Sequence, residues 1–429
     1  MEPSRIWERV KGRLRNEVLR RELRSEWRRA ARAAQFVERA KPPRRLLVLP
    51  CDPRTLTGSR GDEAMIQGAV QFIRKSSPLL EVAVVTSSAE ASAAAARMGF
   101  QPLQAWEARF SLAKVMQAAD AFQADAAVVV GGDVMDGYYN PATTTRLLAL
   151  ADVLSRRAVR TSVLGFSFND RPHGSLRTVF DVLDPALLLN VRDPISLARF
   201  ERFTRAKAQL TADAAFLLSP DPNTSGVREP AQWALKRRAA GDLVVGFNLH
   251  PSLFKRATAQ QLEALIDSAA AALIETSARR AVSWMLLPHD YRGALGDDAC
   301  LAPLAEALDR AALTPRFHHV RGEKSAGELK ALAGLTDGVC TGRMHLAIAT
   351  LGMGVPAAAF TYQDKFEGLF RHFELPPWLL LTPQQAAQPQ YLQRTATRFI
   401  DELASLRAQV ALRLPYVKAI AERNLMGLI

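Results

Sequence analysis

The sequence predicts an α/β protein with two doubly wound domains, each built on a parallel sheet that helices cover on both faces. Short apolar runs with β-branched residues alternate along the chain with segments of helical periodicity, and this alternation is typical of parallel sheets. A polar, proline-containing segment at residues 219–230 interrupts the alternation, which then resumes. We therefore expect a first domain over residues 42–225, a second over residues 226–384 and a helical region over residues 385–429.

The predicted strands follow one another in each half of the chain. In the first half they are residues 45–50, 81–86, 126–130, 161–166 and 186–191, with helical patterns between them such as 63–75, 111–122 and 143–157. In the second half they are residues 242–247, 281–287, 316–320, 337–341 and 356–361. Ligands of such sheets bind beyond the carboxyl ends of the strands, so we expect the functional residues in the loops that follow them.

The first 41 residues differ from the rest in charge. They hold thirteen Lys or Arg against six Glu, which gives +7 of the formal charge of +13. Apolar residues recur every three to five positions, so residues 4–40 are predicted to form one basic amphipathic helix that Pro42 and Pro43 end. We favour a helix docked on its own protein or on a second subunit. The alternative is a helix at an anionic lipid surface.

Composition argues against several classes of protein and site. The three cysteines lie far apart and no Cys/His cluster accompanies them, so we expect neither a disulfide framework nor a metal site. No apolar run is long enough for a membrane span, and we expect a cytoplasmic protein that would contact the inner face of the membrane only through residues 1–41. Nucleic-acid binding is not expected, because aromatic content is 7% and the basic excess is concentrated on one helix. The positive charge suits anionic substrates.

Three loops of the first domain carry candidate site residues. Asp62 follows the first strand in a glycine-containing loop that opens a helix, where it could cap that helix or act in a site. This loop matches neither the dinucleotide nor the P-loop fingerprint. Asp133 follows two glycines after a later strand. Arg192 follows the run that ends at residue 191, where it would face the crevice or pair with Asp193 or Asp213.

Loops of the second domain carry further polar residues. Asn248 follows the first strand of this domain, and His289 with Asp290 follows the second. His289 and Asp290 could orient a sugar hydroxyl, or they could only shape the loop.

Arg343 and His345 stand where a strand meets a helix, directly after Gly342, which permits a tight exit from the strand. A helix N-terminus disfavours cations, so two such groups there indicate that an anionic ligand completes the site. The guanidinium of Arg343 matches a carboxylate or a phosphate, and the imidazole of His345 can donate a hydrogen bond or transfer a proton. The alternative is a helix that begins with both side chains in solvent.

The stretch that these residues open resembles the C-terminal signature of the polysaccharide pyruvyl transferase family. Its features are a small residue, Arg, a hydrophobic residue and His at 342–345, Gly-Val-Pro at 354–356, and then Tyr362 and Lys365. Less specific similarities are Gly-Asp-Glu at 61–63, Gly-Gly-Asp at 131–133, Arg-Asp at 192–193 and Asp213. The resemblance spans about residues 45–375.

This resemblance implies a fold similar to the GT-B glycosyltransferases, with the acceptor on the first domain and the donor on the second. It implies transfer of pyruvate from phosphoenolpyruvate to a saccharide, forming a ketal in exopolysaccharide or cell-surface polysaccharide biosynthesis, with no other cofactor. Whether the acceptor is lipid-linked stays open. Arg343, His345 and Arg192 would contact the donor, with His345 as the acid or as a phosphate-orienting group. Substrate binding is also assigned to Gly342, Lys365, Asp133, Asn248 and His289.

Two matters stay open. The base that deprotonates the hydroxyl would be Asp62, Asp133 or Asp290, in that order. Arg60 stands where the family commonly has Asn, which leaves the role of its loop open. An alternative with the same fold is a nucleotide-sugar glycosyltransferase or sugar epimerase, in which Glu367 would bind a ribose. A second alternative is a membrane or nucleic-acid binder that uses residues 1–41.

Overall fold

The computed structural model describes residues 22–35, 38–254, 257–293, 296–361 and 365–429. Its first sheet is parallel and holds β1 (Arg45–Leu49), β2 (Glu81–Val85), β3 (Gln101–Leu103), β4 (Ala126–Val129), β5 (Arg160–Phe166), β6 (Leu188–Val191) and β7 (Gln209–Leu210). Its second parallel sheet holds β8 (Leu243–Asn248), β9 (Val282–Leu286), β10 (Phe317–His319), β11 (Gly338–Thr341), β12 (Ala357–Phe360) and β13 (Leu380–Leu381).

The strand orders are β3-β2-β1-β4-β5-β6-β7 and β10-β9-β8-β11-β12-β13, so the order reverses beside β1 and beside β8. This is the doubly wound arrangement, and the predicted fold class is confirmed. Strands β1 and β4 read as apolar runs because helices cover both faces of the sheet and leave their residues almost entirely buried. Three short strands, β3, β7 and β13, were not predicted. They have only two or three residues each, and β3 and β7 lack the apolar run that indicates a buried strand, whereas β13 lies in the short apolar run of residues 378–381.

Helices connect the strands. In the first half they are α1 (22–32), α2 (Arg60–Arg74), α3 (Ala89–Arg97), α4 (Leu112–Phe122), α5 (Pro141–Arg156), α6 (Arg177–Phe180) and α7 (Pro194–Phe203). In the second half they are α8 (Ser225–Ala239), α9 (Ala259–Arg279), α10 (Asp298–Arg310), α11 (Ala326–Gly334), α12 (Met344–Gly352), α13 (Lys365–Phe373), α14 (Pro383–Ala386), α15 (Pro389–Asp401) and α16 (Leu403–Met426). Of the helices in the described ranges, none combines the length and the hydropathy that a membrane span requires.

Helix α1 ends earlier than the sequence predicts. The prediction ran over residues 4–40, but the helix ends at residue 32, and residues 1–21 lie outside the described part of the chain. The segment before β1 instead runs along the first sheet, where the Arg160 side chain donates a hydrogen bond to the carbonyl of Ala40. Leu23 and Trp27 are buried in the first domain's core, so α1 is docked on its own protein.

The last helix returns to the first domain. Asn424 on α16 is fully buried. Its amide nitrogen donates to the Ala212 carbonyl at 2.8 Å, and its amide oxygen accepts from the backbone N–H of Gly165 on β5 at 2.7 Å. The predicted C-terminal helical region therefore connects the second domain back to the first sheet.

Polar contacts across the interface fix the two domains relative to each other. Arg60 donates to Glu63 at 2.8 Å and to Glu323 of the second domain at 3.0 Å. Glu63 in turn accepts from the backbone N–H of Ala326 at the start of α11, at 3.1 Å. Lys330 on α11 donates to the Leu218 carbonyl of the first domain at 2.6 Å. Arg60, the departure from the family-like pattern, thus has an interdomain role in this chain.

Candidate active site

A crevice of about 1100 Å³ lies between the carboxyl ends of the two sheets. The second domain lines it with apolar residues, which include Leu253, Phe254 and Leu262, and with the cations Arg292, Arg343 and Lys365. The first domain lines it with three carboxylates, Asp52, Asp62 and Asp133. A backbone bridge between Ser59 and Asp290 joins the two domains beside it. The crevice therefore combines cations for an anionic ligand with carboxylates that can accept protons.

Arg343 lies at the start of α12 and its direction is set by carboxylates. It is the residue before the helix, in an extended conformation, and its side chain is 13% exposed. Its Nε and Nη2 donate to Oδ1 of Asp297 at 2.8 and 2.6 Å, and its Nη1 lies 3.2 Å from Oδ2 of Asp290. The predicted position at the entry of a helix in the crevice is correct, and two carboxylates orient the guanidinium there.

Asp297 is a residue of this site that the sequence analysis missed. It is fully buried and also accepts from the Asn248 amide at 2.7 Å and from the His289 backbone N–H at 2.8 Å. Asn248 was predicted to bind substrate, but the structure buries it completely behind Asp297, where the Thr341 hydroxyl donates to its oxygen at 3.1 Å. The only signal in the sequence was the Gly-Asp-Asp run at 296–298, which does not tell which aspartate turns inward.

Gly342 is required by close packing. A Cβ at this position would stand 2.8 Å from the His250 ring. The ring nitrogen Nε2 of His250 lies 2.9 Å from the Gly342 carbonyl, so it donates a hydrogen bond there. Burial holds the pKa of His250 well below its ordinary value, and the charge of Arg343 lowers it further. A neutral imidazole thus supports the turn that presents Arg343.

His345 joins the two domains at the centre of the crevice. A Cβ at Gly61 would stand 2.1 Å from its Nδ1, so only glycine lets the start of α2 approach the ring this closely. Its Nε2 lies 3.5 Å from Oδ2 of Asp213 and has no hydrogen-bond partner among the described residues. The ring is nearly parallel to that of His289, with 6.5 Å between centroids and an angle of 11°. The Gly-Asp-Glu and Arg-x-His motifs therefore meet here.

Arg192 is buried beside the crevice and engages two carboxylates. Its Nη1 donates to Asp213 at 2.9 Å, its Nη2 donates to Asp133, and its Nε donates to the Ser167 hydroxyl at 2.8 Å. Asp133 also accepts from Lys365 of the second domain at 2.6 Å. The predicted pair with Asp213 is present, and the arginine side chain is 1% exposed rather than facing open space. Its direct contact with a donor stays a prediction.

In these contacts basic and acidic side chains alternate across the domain boundary, in the order Lys365, Asp133, Arg192, Asp213 and His345. Burial favours a neutral Asp133, but Lys365 and Arg192 outweigh burial and hold its pKa well below the usual range. Burial likewise opposes ionisation of Asp213, and His345 and Arg192 outweigh it and lower that pKa. Both carboxylates are therefore ionised at neutral pH.

Asp62 has different electrostatics from the other two candidate bases. Burial raises its pKa to about 6, against the opposing effects of His345 and of the Cys51 thiol. That thiol donates to Oδ2 of Asp62 at 3.2 Å. At Asp290, by contrast, Arg292 and Arg343 outweigh burial and lower the pKa. Asp62 is thus the carboxylate of the three that exchanges a proton near neutral pH, as a general base must.

Other predicted and unpredicted residues complete the lining. His289 lines the crevice, and burial, with the charges of His345 and Arg343, holds its pKa well below the ordinary value. Tyr138 and Tyr139, not predicted, line the crevice and are 40% and 58% exposed. Tyr362 falls outside the described residues. No group of three or more His, Cys, Asp or Glu side chains in the described ranges could hold a metal ion.

Solved structures with similar folds include an epimerase and a glycosyltransferase, both of low sequence identity. UDP-GlcNAc 2-epimerase from Neisseria meningitidis bound to UDP-GlcNAc is 11% identical, with a TM-score of 0.57 over 90% of this chain and 99% of that chain. A glycosyltransferase from Rickettsia africae is 10% identical, with a TM-score of 0.51 over 89% and 98%. At this identity the likeness shows the fold alone, and it confirms the GT-B-like arrangement. A search of curated proteins found no match.

The family is shown by a sequence profile. The profile for polysaccharide pyruvyl transferase matches residues 60–364, which is most of the chain. The match begins just before Gly61 and Asp62 and extends past Arg343 and His345, so it includes both motifs that meet in the crevice. The chain belongs to the polysaccharide pyruvyl transferase family.

Proposed function

We propose that the protein transfers pyruvate from phosphoenolpyruvate to two hydroxyl groups of a saccharide, forms a cyclic ketal and releases phosphate. The observation that supports this best is the convergence of Arg343, His345, Lys365 and Asp62 on one crevice. The two cations suit a small, multiply charged anion. A carboxyl group with a pKa of about 6 suits deprotonation of a hydroxyl.

Donor binding is assigned mainly to the second domain. Phosphoenolpyruvate carries a carboxylate and a phosphate on three carbons, so it needs cationic groups from more than one direction. Arg343 and Lys365 supply them from the starts of two different helices, α12 and α13. The start of α12, which no side chain caps within the described ranges, adds backbone N–H groups that favour an anion. To reach Lys365 the donor displaces Asp133, which keeps Arg192 as its partner.

The reaction begins at C3 of the donor. His345 delivers a proton to the methylene carbon, which becomes a methyl group and leaves C2 electrophilic. A sugar hydroxyl then adds to C2 as Asp62 takes its proton. The tetrahedral C2 expels phosphate, and the second hydroxyl closes the ring on C2 and gives its proton to the departing phosphate. The proton on Asp62 returns to His345 through solvent, so protons balance over one turnover.

The acceptor is assigned to the first-domain wall. Tyr138 and Tyr139 are exposed there, and the Lys365 ammonium lies over the Tyr139 ring, 5.6 Å from its centroid. The C–H face of a sugar can pack on the aromatic surface that stays accessible, and Asp62 lies on the same domain. The crevice volume of about 1100 Å³ exceeds what a three-carbon donor occupies, and it matches a site for two substrates.

The nucleotide-sugar alternative assigned ribose binding to Glu367. In the structure the Thr361 hydroxyl donates to the Glu367 carboxylate at 3.0 and 3.3 Å, which is a local contact at the start of α13. The fold relatives do not distinguish the two functions, because they share only the architecture.

The direct assay combines the purified protein with phosphoenolpyruvate and a panel of oligosaccharides, and follows phosphate release and product mass. We expect phosphate release only when both substrates are present, with a product heavier by one pyruvate less one water. Parallel reactions contain UDP-sugars in place of phosphoenolpyruvate. Release of UDP in those reactions, together with no phosphate from phosphoenolpyruvate with any acceptor, would contradict the proposal.

A further inference from the structure

Helix α1 turns its apolar side chains inward and its arginines outward. Leu23 and Trp27 are 8% and 6% exposed, and the Trp27 indole N–H donates to Asp152 on α5 at 2.7 Å. We define the arginine face as Arg24, Arg28, Arg29 and Arg32, all of which are exposed. The docking of α1 therefore fixes which side of the helix faces solvent.

One glutamate of α1 does not neutralise this face, because it is used in docking. The Glu26 carboxylate accepts from the backbone N–H of Ala113 at 2.9 Å and from the Ser111 hydroxyl at 3.3 Å, at the start of α4. Glu22 stays exposed, so the exposed residues of α1 carry four positive charges against one negative charge.

The arginine face borders two open hollows that are lined by several of its arginines, and Arg29 also lines a third, of about 680 Å³, together with Glu22, Glu26 and Asp120. The first of the two, of about 310 Å³, is lined by Arg24, Arg28 and Arg32 and by Arg156 of α5, and at its base by Asp152 and by apolar residues that include Trp27 and Val179. The other, of about 510 Å³, is lined by the four arginines of the face and Ser25. Arg24, Arg28 and Arg32 follow one another at four-residue spacing and so form a row about 12 Å long. The surface is thus cationic, and it is wide enough for several phosphate groups at once.

We propose that the arginine face binds the anionic surface of a lipid bilayer through charge alone. The apolar side of α1 is occupied by the first domain, so residues 22–32 do not form an amphipathic helix inserted in lipid, which was the alternative that the sequence left open. The one aromatic side chain of α1, Trp27, is buried, so the face offers no platform for stacking bases. This proposal does not rest on the proposed reaction.

Binding by charge has quantitative consequences. Each arginine near an anionic bilayer contributes about fivefold to partitioning, so removing all four should lower it by far more than tenfold. Salt should release the protein, because the screening length falls from about 10 Å at 0.1 M to about 3 Å at 1 M. Vesicle binding through an inserted apolar face would instead persist in added salt, because it does not depend on charge.

The test is co-sedimentation of the full chain with vesicles. One set contains phosphatidylcholine alone and the other phosphatidylcholine and phosphatidylglycerol at about three to one. The variant carries Arg24→Gln, Arg28→Gln, Arg29→Gln and Arg32→Gln. The matched control loses the same charge at four exposed positions elsewhere, through Arg74→Gln, Arg97→Gln, Arg228→Gln and Lys236→Gln. Thermal melts check folding, and an Arg28→Gln/Arg32→Gln double variant serves if the quadruple variant melts early.

We expect the wild type to bind the anionic vesicles only and to be released from them by salt. The arginine-face variant should partition onto these vesicles more than tenfold less than the wild type, and the control variant should bind like the wild type. Equal loss in both variants would overturn the proposal, because net charge alone would then explain binding. Undiminished binding of the arginine-face variant, or no binding of the wild type, would also overturn it. Duplex DNA that displaces the wild type from vesicles and binds more tightly would assign the face to nucleic acid instead.

Discussion

Nε2 of His345 lies 3.5 Å from Oδ2 of Asp213, so each domain contributes one member of this pair. Asp213 is held in place by Arg192 at 2.9 Å and by the backbone N–H of Ala215 at 2.9 Å. His345 is part of α12 in the second domain. The imidazole therefore faces its carboxylate only when the two domains are as close as they are here, which makes Asp213 a positioning residue for His345.

We expect Asp213→Asn to lower kcat by about tenfold or more while changing the KM for phosphoenolpyruvate little, because the acid loses its orienting carboxylate and the donor cations remain. Steady-state phosphate release measures both constants. Arg192 keeps Asp133 as a partner, and a thermal melt checks that the variant folds. In a His345→Ala background the same substitution should have almost no further effect, since the two residues act as a unit. Additive losses would contradict the pairing.

Gly61→Ala, a substitution in the first domain, should lower the turnover rate by displacing His345 of the second domain. The added Cβ would stand 2.1 Å from Nδ1 of His345, so the ring must move by about 1 Å, a displacement that costs about a hundredfold in rate. Gly174→Ala is the matched control, because a Cβ there meets no atom within 4 Å. Turnover assays on both variants, with circular dichroism to confirm the fold, test this. Normal turnover in Gly61→Ala would show that the position of His345 is unimportant.

Cys51→Ala should change the pH dependence in a defined direction. Asp62 must be ionised to act as a base, so kcat/KM should fall as the pH drops below about 6, the pKa to which burial raises this carboxyl group. The Cys51 thiol donates to Asp62 and lowers that pKa, so its removal should raise the pKa further and move the acid limb to higher pH. Cys51→Ser keeps a donor and should leave the limb near the wild-type position. If the acid limb of the kcat/KM profile of Cys51→Ala lay at the wild-type pH, Asp62 would not be the group whose ionisation the profile reports.

Asn424→Ala tests the connection between α16 and the first sheet. It leaves the buried Gly165 N–H and Ala212 carbonyl without these partners, which should lower the free energy of unfolding by about 2–5 kcal/mol. Gln390→Ala, at an exposed position of α15, should change it by less than about 0.5 kcal/mol. Chemical denaturation measures both. Equal stability of the two variants would mean that the last helix does not secure the domains.

The architecture could be predicted because its signals are local. Runs such as residues 126–130 and 356–361 are apolar throughout, and a strand buried on both faces requires that pattern. The edge strand Leu380–Leu381 was missed because its apolar run, residues 378–381, is only four residues long and follows two prolines, and because only two of its residues pair with the neighbouring strand. The predicted end of α1, residue 40, was wrong because the periodic pattern of apolar residues continues past residue 32, where the helix ends and the chain turns toward β1.

The site was harder to predict, because its contacts cross between distant segments. Arg343 and His345 stood out through their position at a helix start, but no pattern indicates that Asp297 rather than Asp298 orients Arg343. The sequence did not show that Asn248 is buried and donates to Asp297, since a polar residue after a strand can face the crevice or support another side chain, and its role in substrate binding stays a prediction. The order of the candidate bases agrees with the raised pKa of Asp62, which depends on burial that spacing alone does not reveal.

The central claim is that Arg343 holds phosphoenolpyruvate in the interdomain crevice, and calorimetric titration of the donor tests it most directly. Wild type should bind phosphoenolpyruvate, and Arg343→Lys should bind it at least about tenfold more weakly, because a point charge cannot replace the guanidinium fork. Arg238→Lys, the same exchange at a surface pair with Asp337, should bind like wild type. Equal donor affinity in all three proteins, or no donor binding by wild type, would contradict the account.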